Sequence, residues 1–109
     1  MKMSEKQFQN KIWDVAQRTG WKVAHFPPSR NPRGGHMTAV AYNGKGWPDL
    51  ILCHPGRGLF LIRELKVKPN KLTPEQTQWL ADLGNAEIDG DVWYPEDWDG
   101  IVALLTGTG

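Results

Sequence analysis

Apolar positions recur with two different periods along this chain, and the switches between the periods mark its elements. Phe8, Ile12, Val15 and Ala16 fall at helical spacing and make one stripe on the otherwise polar segment 4–19. Ser4, with Gln7 three residues on, has the capping-box pattern, and Gly20 ends the segment. Residues 21–26 then have the pattern of a short strand. Residues 27–36 carry turn chemistry throughout and predict a loop, Met37–Tyr42 fits a second short strand, and 43–46 turn the chain again.

Two apolar runs, 49–53 and 59–67, flank the turn residues 54–58 and predict an antiparallel hairpin. Thr73 then caps a helix with Pro74 at its first position. Gln76, Trp79, Leu80 and Leu83 line its inner face, and Gly84 stops it. Residues 91–94 read as a strand. Pro95 opens a last helical segment bearing Trp98, Val102 and Leu105, and 106–109 read as a flexible tail. This order implies a small α/β sheet with helices packed on it, in one domain spanning 1–109 with a loop-rich insertion at 27–45.

Composition narrows the class. A chain of 109 residues supports one modest core. With 39% hydrophobic and 23% charged residues it is neither a disordered polyelectrolyte nor a membrane protein, and no apolar run approaches the length of a spanning helix. The first residues lack an apolar signal core, so a reducing cytoplasm is the expected compartment. The single cysteine, Cys53, excludes an internal disulfide and a multi-cysteine zinc site. The net charge of +1 hides an asymmetry. Residues 1–71 hold all thirteen Lys and Arg and four acids, whereas 72–109 hold eight acids and no basic residue. Either the first two thirds carry a nucleic-acid surface, or the two parts interleave in space and neutralise each other.

The acids within the basic part are the informative ones. Asp49 opens one strand of the hairpin, and Glu64 and Lys66 close the other. Alternation puts Glu64 and Lys66 on one face, and the return of the chain brings Asp49 beside Glu64 or Lys66. Two adjacent carboxylates stay ionised most readily around a divalent cation. Mg²⁺ suits oxygen ligands, a few waters and a phosphate. His25, His36 and His54 lack the spacing of a zinc pair. A cation, a neighbouring lysine and a basic surface together suggest phosphodiester hydrolysis, Lys66 orienting the attacking water or neutralising phosphoryl oxygens. An exposed, salt-bridged strand face is the plainer alternative.

The succession Gly46-Trp47-Pro48-Asp49, a hairpin, then Glu64-Leu65-Lys66 resembles the PD-(D/E)XK nuclease motif. Leu72-Thr73-Pro74-Glu75-Gln76 with Trp79-Leu80 resembles more narrowly its VRR-NUC branch, in a stand-alone form of phage or bacterial type. The likeness extends from the first helix with Glu5, through Gly20-Trp21, to Trp93-Tyr94-Pro95. It implies a restriction-endonuclease-like core, a small mixed sheet flanked by helices. It implies metal ligation by Asp49, Glu64 and the backbone carbonyl of Leu65, with Lys66 as catalytic lysine, Gln76 holding the site and Glu5 as the acid of the first helix. Glu5 also lies three residues before Phe8, which predicts that it faces inward.

The resemblance further implies a Mg²⁺-dependent endodeoxyribonuclease, with Mn²⁺ as a substitute, acting on Holliday junctions or other branched DNA as a homodimer. No small-molecule cofactor is implied. Trp13, Trp93 and Trp98 serve either a dimer interface or the core. Arg30, Arg33, His36 and Lys45 on the 27–45 loop, and Lys68 and Lys71 beyond the site, are the candidate DNA contacts, the loop residues otherwise being simply solvated. A non-catalytic branched-DNA-binding module, or a nuclease subunit needing a partner protein, is the alternative.

Overall fold

A computed structural model describes residues 2–26, 29–30, 36–37 and 42–108. The chain runs α1 (Glu5–Arg18), β1 (Lys22–His25), β2 (Ser29–Arg30), β3 (His36–Met37), β4 (Leu50–His54), β5 (Leu59–Leu65), α2 (Pro74–Asn85), β6 (Asp89–Trp93), a 3₁₀ turn at Pro95–Asp97 and α3 (Trp98–Thr106). Four strands form a mixed sheet in the order β1-β4-β5-β6, with β5 antiparallel to β4 and parallel to β6.

Both long helices start at reciprocal caps. The Ser4 hydroxyl accepts from the Gln7 N–H while the Gln7 side chain accepts from the Ser4 N–H. Thr73 and Gln76 repeat the arrangement at α2. Gly20, at a φ of +92°, turns the chain out of α1 into β1.

Alternation along the strands divides the sheet into two faces. Leu50, Leu52, Leu61 and Leu65 join Phe8, Ile12 and Ala16 of α1 and Ile101 and Leu105 of α3 in the main core. On the opposite face, α2 lies over β5 and β6. Gly90 makes room there, because a Cβ at that position would stand 3.0 Å from the Leu83 side chain. The inward stripe of each helix therefore sets its layer, and the hairpin β4–β5 runs between the layers.

Several expectations shift. The 27–36 stretch is not loop throughout, since Ser29–Arg30 pairs antiparallel with His36–Met37. The remainder of that stretch and of the predicted strand Met37–Tyr42 lies outside the described residues, and Tyr42 itself sits in a turn. Helix α2 passes Gly84 to Asn85, and the chain reverses at Glu87, whose φ is +63°. β6 begins at Asp89, two residues early, and Thr106 still belongs to α3. Trp93 is buried in the core and Trp98 packs against it, whereas Trp13 is 46% exposed. Among the described residues no helix is long and apolar enough to cross a membrane.

Candidate active site

The register of the hairpin creates the site. Leu50 pairs with Arg63, so one further step sets Asp49 opposite Glu64. Leu50 and Leu52 point into the core, which sends Asp49, Glu64 and Lys66 to the face that α2 covers. Asp49 takes up the free end of the hairpin, its Oδ2 accepting from the Leu65 N–H at 2.9 Å.

A loop–helix junction holds Asp49 in place. Trp47 stacks edge-on between Phe26 and Trp79, with ring centroids 6.2 and 5.0 Å away. The Trp79 indole N–H donates to the carbonyls of Asn43 and Lys45, both at 3.1 Å. Gly46 is the point of closest approach. A Cβ there would lie 2.6 Å from the Glu75 carbonyl carbon and 2.8 Å from the Gln76 N, and its φ of +89° already favours glycine. The loop before Asp49 thus rests on the first turn of α2, which carries Gln76. Trp79 therefore serves the loop rather than only the inner face of its helix.

Glu64 sits at the centre, 3% exposed. Its Oε2 accepts from Gln76 Nε2 at 3.2 Å and lies 3.8 Å from Lys66 Nζ. Its Oε1 is buried without a hydrogen-bond partner. Burial pushes the Glu64 carboxyl up to about 9, helped by the neighbouring Asp49 carboxylate. The Lys66 ammonium pulls the other way, and the charge of Glu5 adds a lesser upward push. The fold has therefore placed two acids together where neither water nor a full set of donors compensates them.

Asp49, Glu64, Lys66 and Gln76 are thus brought together. Glu5 is exposed at the first position of α1 instead of facing inward, and it reaches the cluster through its charge alone. Lys45 is 75% exposed and 3.8 Å from Glu75. Arg63 pairs with Asp89 at 3.0 Å, so among the described residues two ion pairs join the basic and acidic parts of the chain. Lys68 and Lys71 are exposed on the segment after β5. Arg33 lies outside the described residues, and of Arg30 and His36 only the backbone is described.

Among the described residues no group of three or more His, Cys, Asp and Glu side chains is disposed to hold a metal. His54 is engaged elsewhere, between the Thr19 carbonyl and the Arg57 N–H. Sequence reasoning passed over Gly46 as a contact point and Arg63 as a buried ion. The alternation that places Glu64 and Lys66 on one face already requires Arg63 on the other, where an acid must meet it.

No curated protein and no solved structure matches the chain. A family model described as the VRR-NUC domain matches residues 34–95, more than half of the 109 and the whole span from Gly46 through Gln76. The chain belongs to this nuclease-type family.

Proposed function

We propose that the protein is a divalent-cation-dependent endodeoxyribonuclease that prefers branched DNA, such as a Holliday junction, and works as a symmetric dimer. The observation that carries its cation dependence is the buried, unpartnered Oε1 of Glu64 next to Asp49. Ionising such a carboxyl costs several kcal/mol unless a positive charge completes it, on the order expected for an unpaired buried ion. Asp49, Glu64 and the Leu65 carbonyl would hold the cation. Oxygen donors alone favour Mg²⁺, with Mn²⁺ as a substitute. When bound, the cation supplies Lewis-acid stabilisation of the phosphate and a more acidic attacking water.

The remaining residues have separable tasks. Lys66 holds an ammonium beside Glu64, where it neutralises phosphoryl oxygens or orients the water. Gln76 fixes the Glu64 carboxylate through Oε2 and keeps its rotamer from relaxing toward solvent. Glu5 adds negative charge at the rim, which strengthens attraction for a cation. Lys45, Lys68 and Lys71, with Arg30 and Arg33, bind phosphates and position the DNA without reading bases. One domain has one such site, and a four-way junction needs two cuts, which a two-fold dimer supplies.

A cleavage panel tests the proposal. Four-way junction, flap, nicked and intact duplex are incubated in Mg²⁺, Mn²⁺ or chelator, beside a mass determination in solution. Metal-dependent product, greatest on branched DNA and from a dimer, is the expected result. Junction binding that survives chelation, with no product in any metal, would replace the proposal with a non-catalytic binding module.

A further inference from the structure

The face that carries Glu64 and Lys66 continues beyond the end of β5. Leu65 pairs with Trp93 in parallel register, so Lys66 and Tyr94 follow as neighbours, and the Lys66 N–H donates to the Trp93 carbonyl at 3.1 Å. Trp93 turns into the core, and alternation sends Tyr94 to the Glu64 face. Tyr94 is half-buried and, with Lys68, Pro69, Asn70, Lys71 and Leu72, lines a groove of about 610 Å³. Lys68 Nζ lies 5.6 Å from its ring centroid.

This groove differs from the other aromatic hollows. The one beside Trp79 and Tyr42 has one cation in its lining, Lys45, against two acids, Glu75 and Asp82, and Lys45 lies 3.8 Å from Glu75. The one beside Trp13 lies against α1, on the core side of the sheet, and has no Lys or Arg in its lining. The Tyr94 groove has two lysines, no acid and an aromatic ring in its lining, and its Tyr94 follows in register beside Lys66. Its volume is that of a small-ligand site.

We infer that this groove receives an unpaired nucleotide of the strand being cut, Tyr94 stacking on the base and Lys68 and Lys71 meeting the flanking phosphates. A base inside a duplex has both faces covered by its neighbours, so away from duplex ends only an unpaired one can present a face to the ring. Stacking on an aromatic side chain accepts any base, so the groove confers structure selectivity without sequence selectivity. The inference rests on the nuclease reading and adds a substrate class to it: DNA with an unpaired nucleotide beside the scissile phosphate.

Binding in chelator separates this inference from catalysis. Fluorescence anisotropy compares a blunt duplex with the same duplex bearing a short single-stranded flap, and 2-aminopurine in the flap reports stacking. Wild type binds the flapped duplex more tightly and quenches the 2-aminopurine. Tyr94→Leu, which keeps an apolar side chain but has no ring, binds the flap about tenfold more weakly and the blunt duplex less than twofold more weakly. Tyr94→Phe behaves as wild type. Equal binding of both duplexes by wild type, equal losses on both in Tyr94→Leu, or failure of Tyr94→Phe to quench would each overturn the inference. Cleavage of plasmid in Mg²⁺ by the same wild-type preparation reads the nuclease proposal independently, since either result can fail while the other stands.

Discussion

At the turn of the β4–β5 hairpin, His54 and Arg57 tie the chain to the ends of two helices. His54 Nδ1 accepts from the Arg57 N–H at 3.1 Å, which leaves Nε2 to donate to the Thr19 carbonyl at 2.8 Å, beyond the end of α1. Arg57 Nη1 donates to the carbonyls of Leu104 and Leu105 in the last turn of α3, at 2.9 and 3.2 Å. The Trp21 indole N–H adds a 2.8 Å bond to Leu105. At the open end of the same hairpin, Asp49 and Glu64 face each other, and Glu64 Oε1 has no partner. One end spends its polar groups on closing helix termini, where each bond stabilises the fold. The other holds a buried acid oxygen without a partner, which folding alone does not explain. Stability and chemistry are thus separated along two strands, and the first makes the second tolerable.

The sharpest break of this contrast removes chemistry without stability. Asp49→Asn keeps an acceptor for the Leu65 N–H while losing the charge, and Lys66→Ala removes the ammonium. Each is expected to lower cleavage by about a thousandfold, with melting temperature within a few degrees of wild type by calorimetry. An inactive Lys66→Ala that also unfolds would show that the two ends are not independent.

Gly46→Ala probes the junction between them. A methyl group would collide with the α2 backbone at Glu75 and Gln76. Displacing Gln76 from Glu64 should lower cleavage by about a hundredfold, as expected for misplacement on the scale of an ångström. The folded fraction, measured by circular dichroism, should fall much less.

Arg57→Ala is the converse experiment. Losing its bonds to α3 should cost about 1–2 kcal/mol and lower the melting temperature by roughly 5–10 °C. Cleavage per folded molecule should be unchanged. A loss of activity at temperatures where the variant is fully folded would contradict the separation.

Titration reads the open end of the hairpin through stability alone. Because Glu64 is raised from 4.5 to about 9, the metal-free folded protein keeps a proton that the unfolded chain releases. The stability from this group is complete below about 4.5 and is lost as pH rises toward about 9. The slope is at most about 1.4 kcal/mol per pH unit. Glu64→Gln should flatten it in chemical denaturation of metal-free protein across that window. An unchanged slope would mean that Glu64 is not the group responsible.

Local rules were the legible part of this molecule. The caps at Ser4 and Thr73 are four-residue patterns, and both formed as written. The hairpin turn fixed the register that joins Asp49 to Glu64, because strand pairing carries a local signal from 54–58 to both ends. Distant contacts were not legible. Gly90 resembles a strand breaker, yet it lies inside β6 because Leu80 and Leu83 pack over its bare Cα. Arg63 looked like one more basic residue, but its partner Asp89 lies 26 positions away in a strand that only the parallel crossover brings alongside. Glu5 shares the spacing of an inward stripe, but as the first helical residue it has no preceding turn to cover it.

The neighbour of Glu64 has a final implication. Arg63 occupies the adjoining rung on the opposite face, so a slip of one position in β5 would confront Asp49 with a cation belonging to the protein itself. The misaligned chain would trade repulsion for attraction at that rung and would have no use for an added ion. What forbids the exchange is the cost elsewhere, because the same slip would turn Leu61 and Leu65 out of the core and bring Glu64 into it. An insertion of a single residue between His54 and Leu59 is therefore the kind of change that could leave the motif intact on paper and abolish what it does.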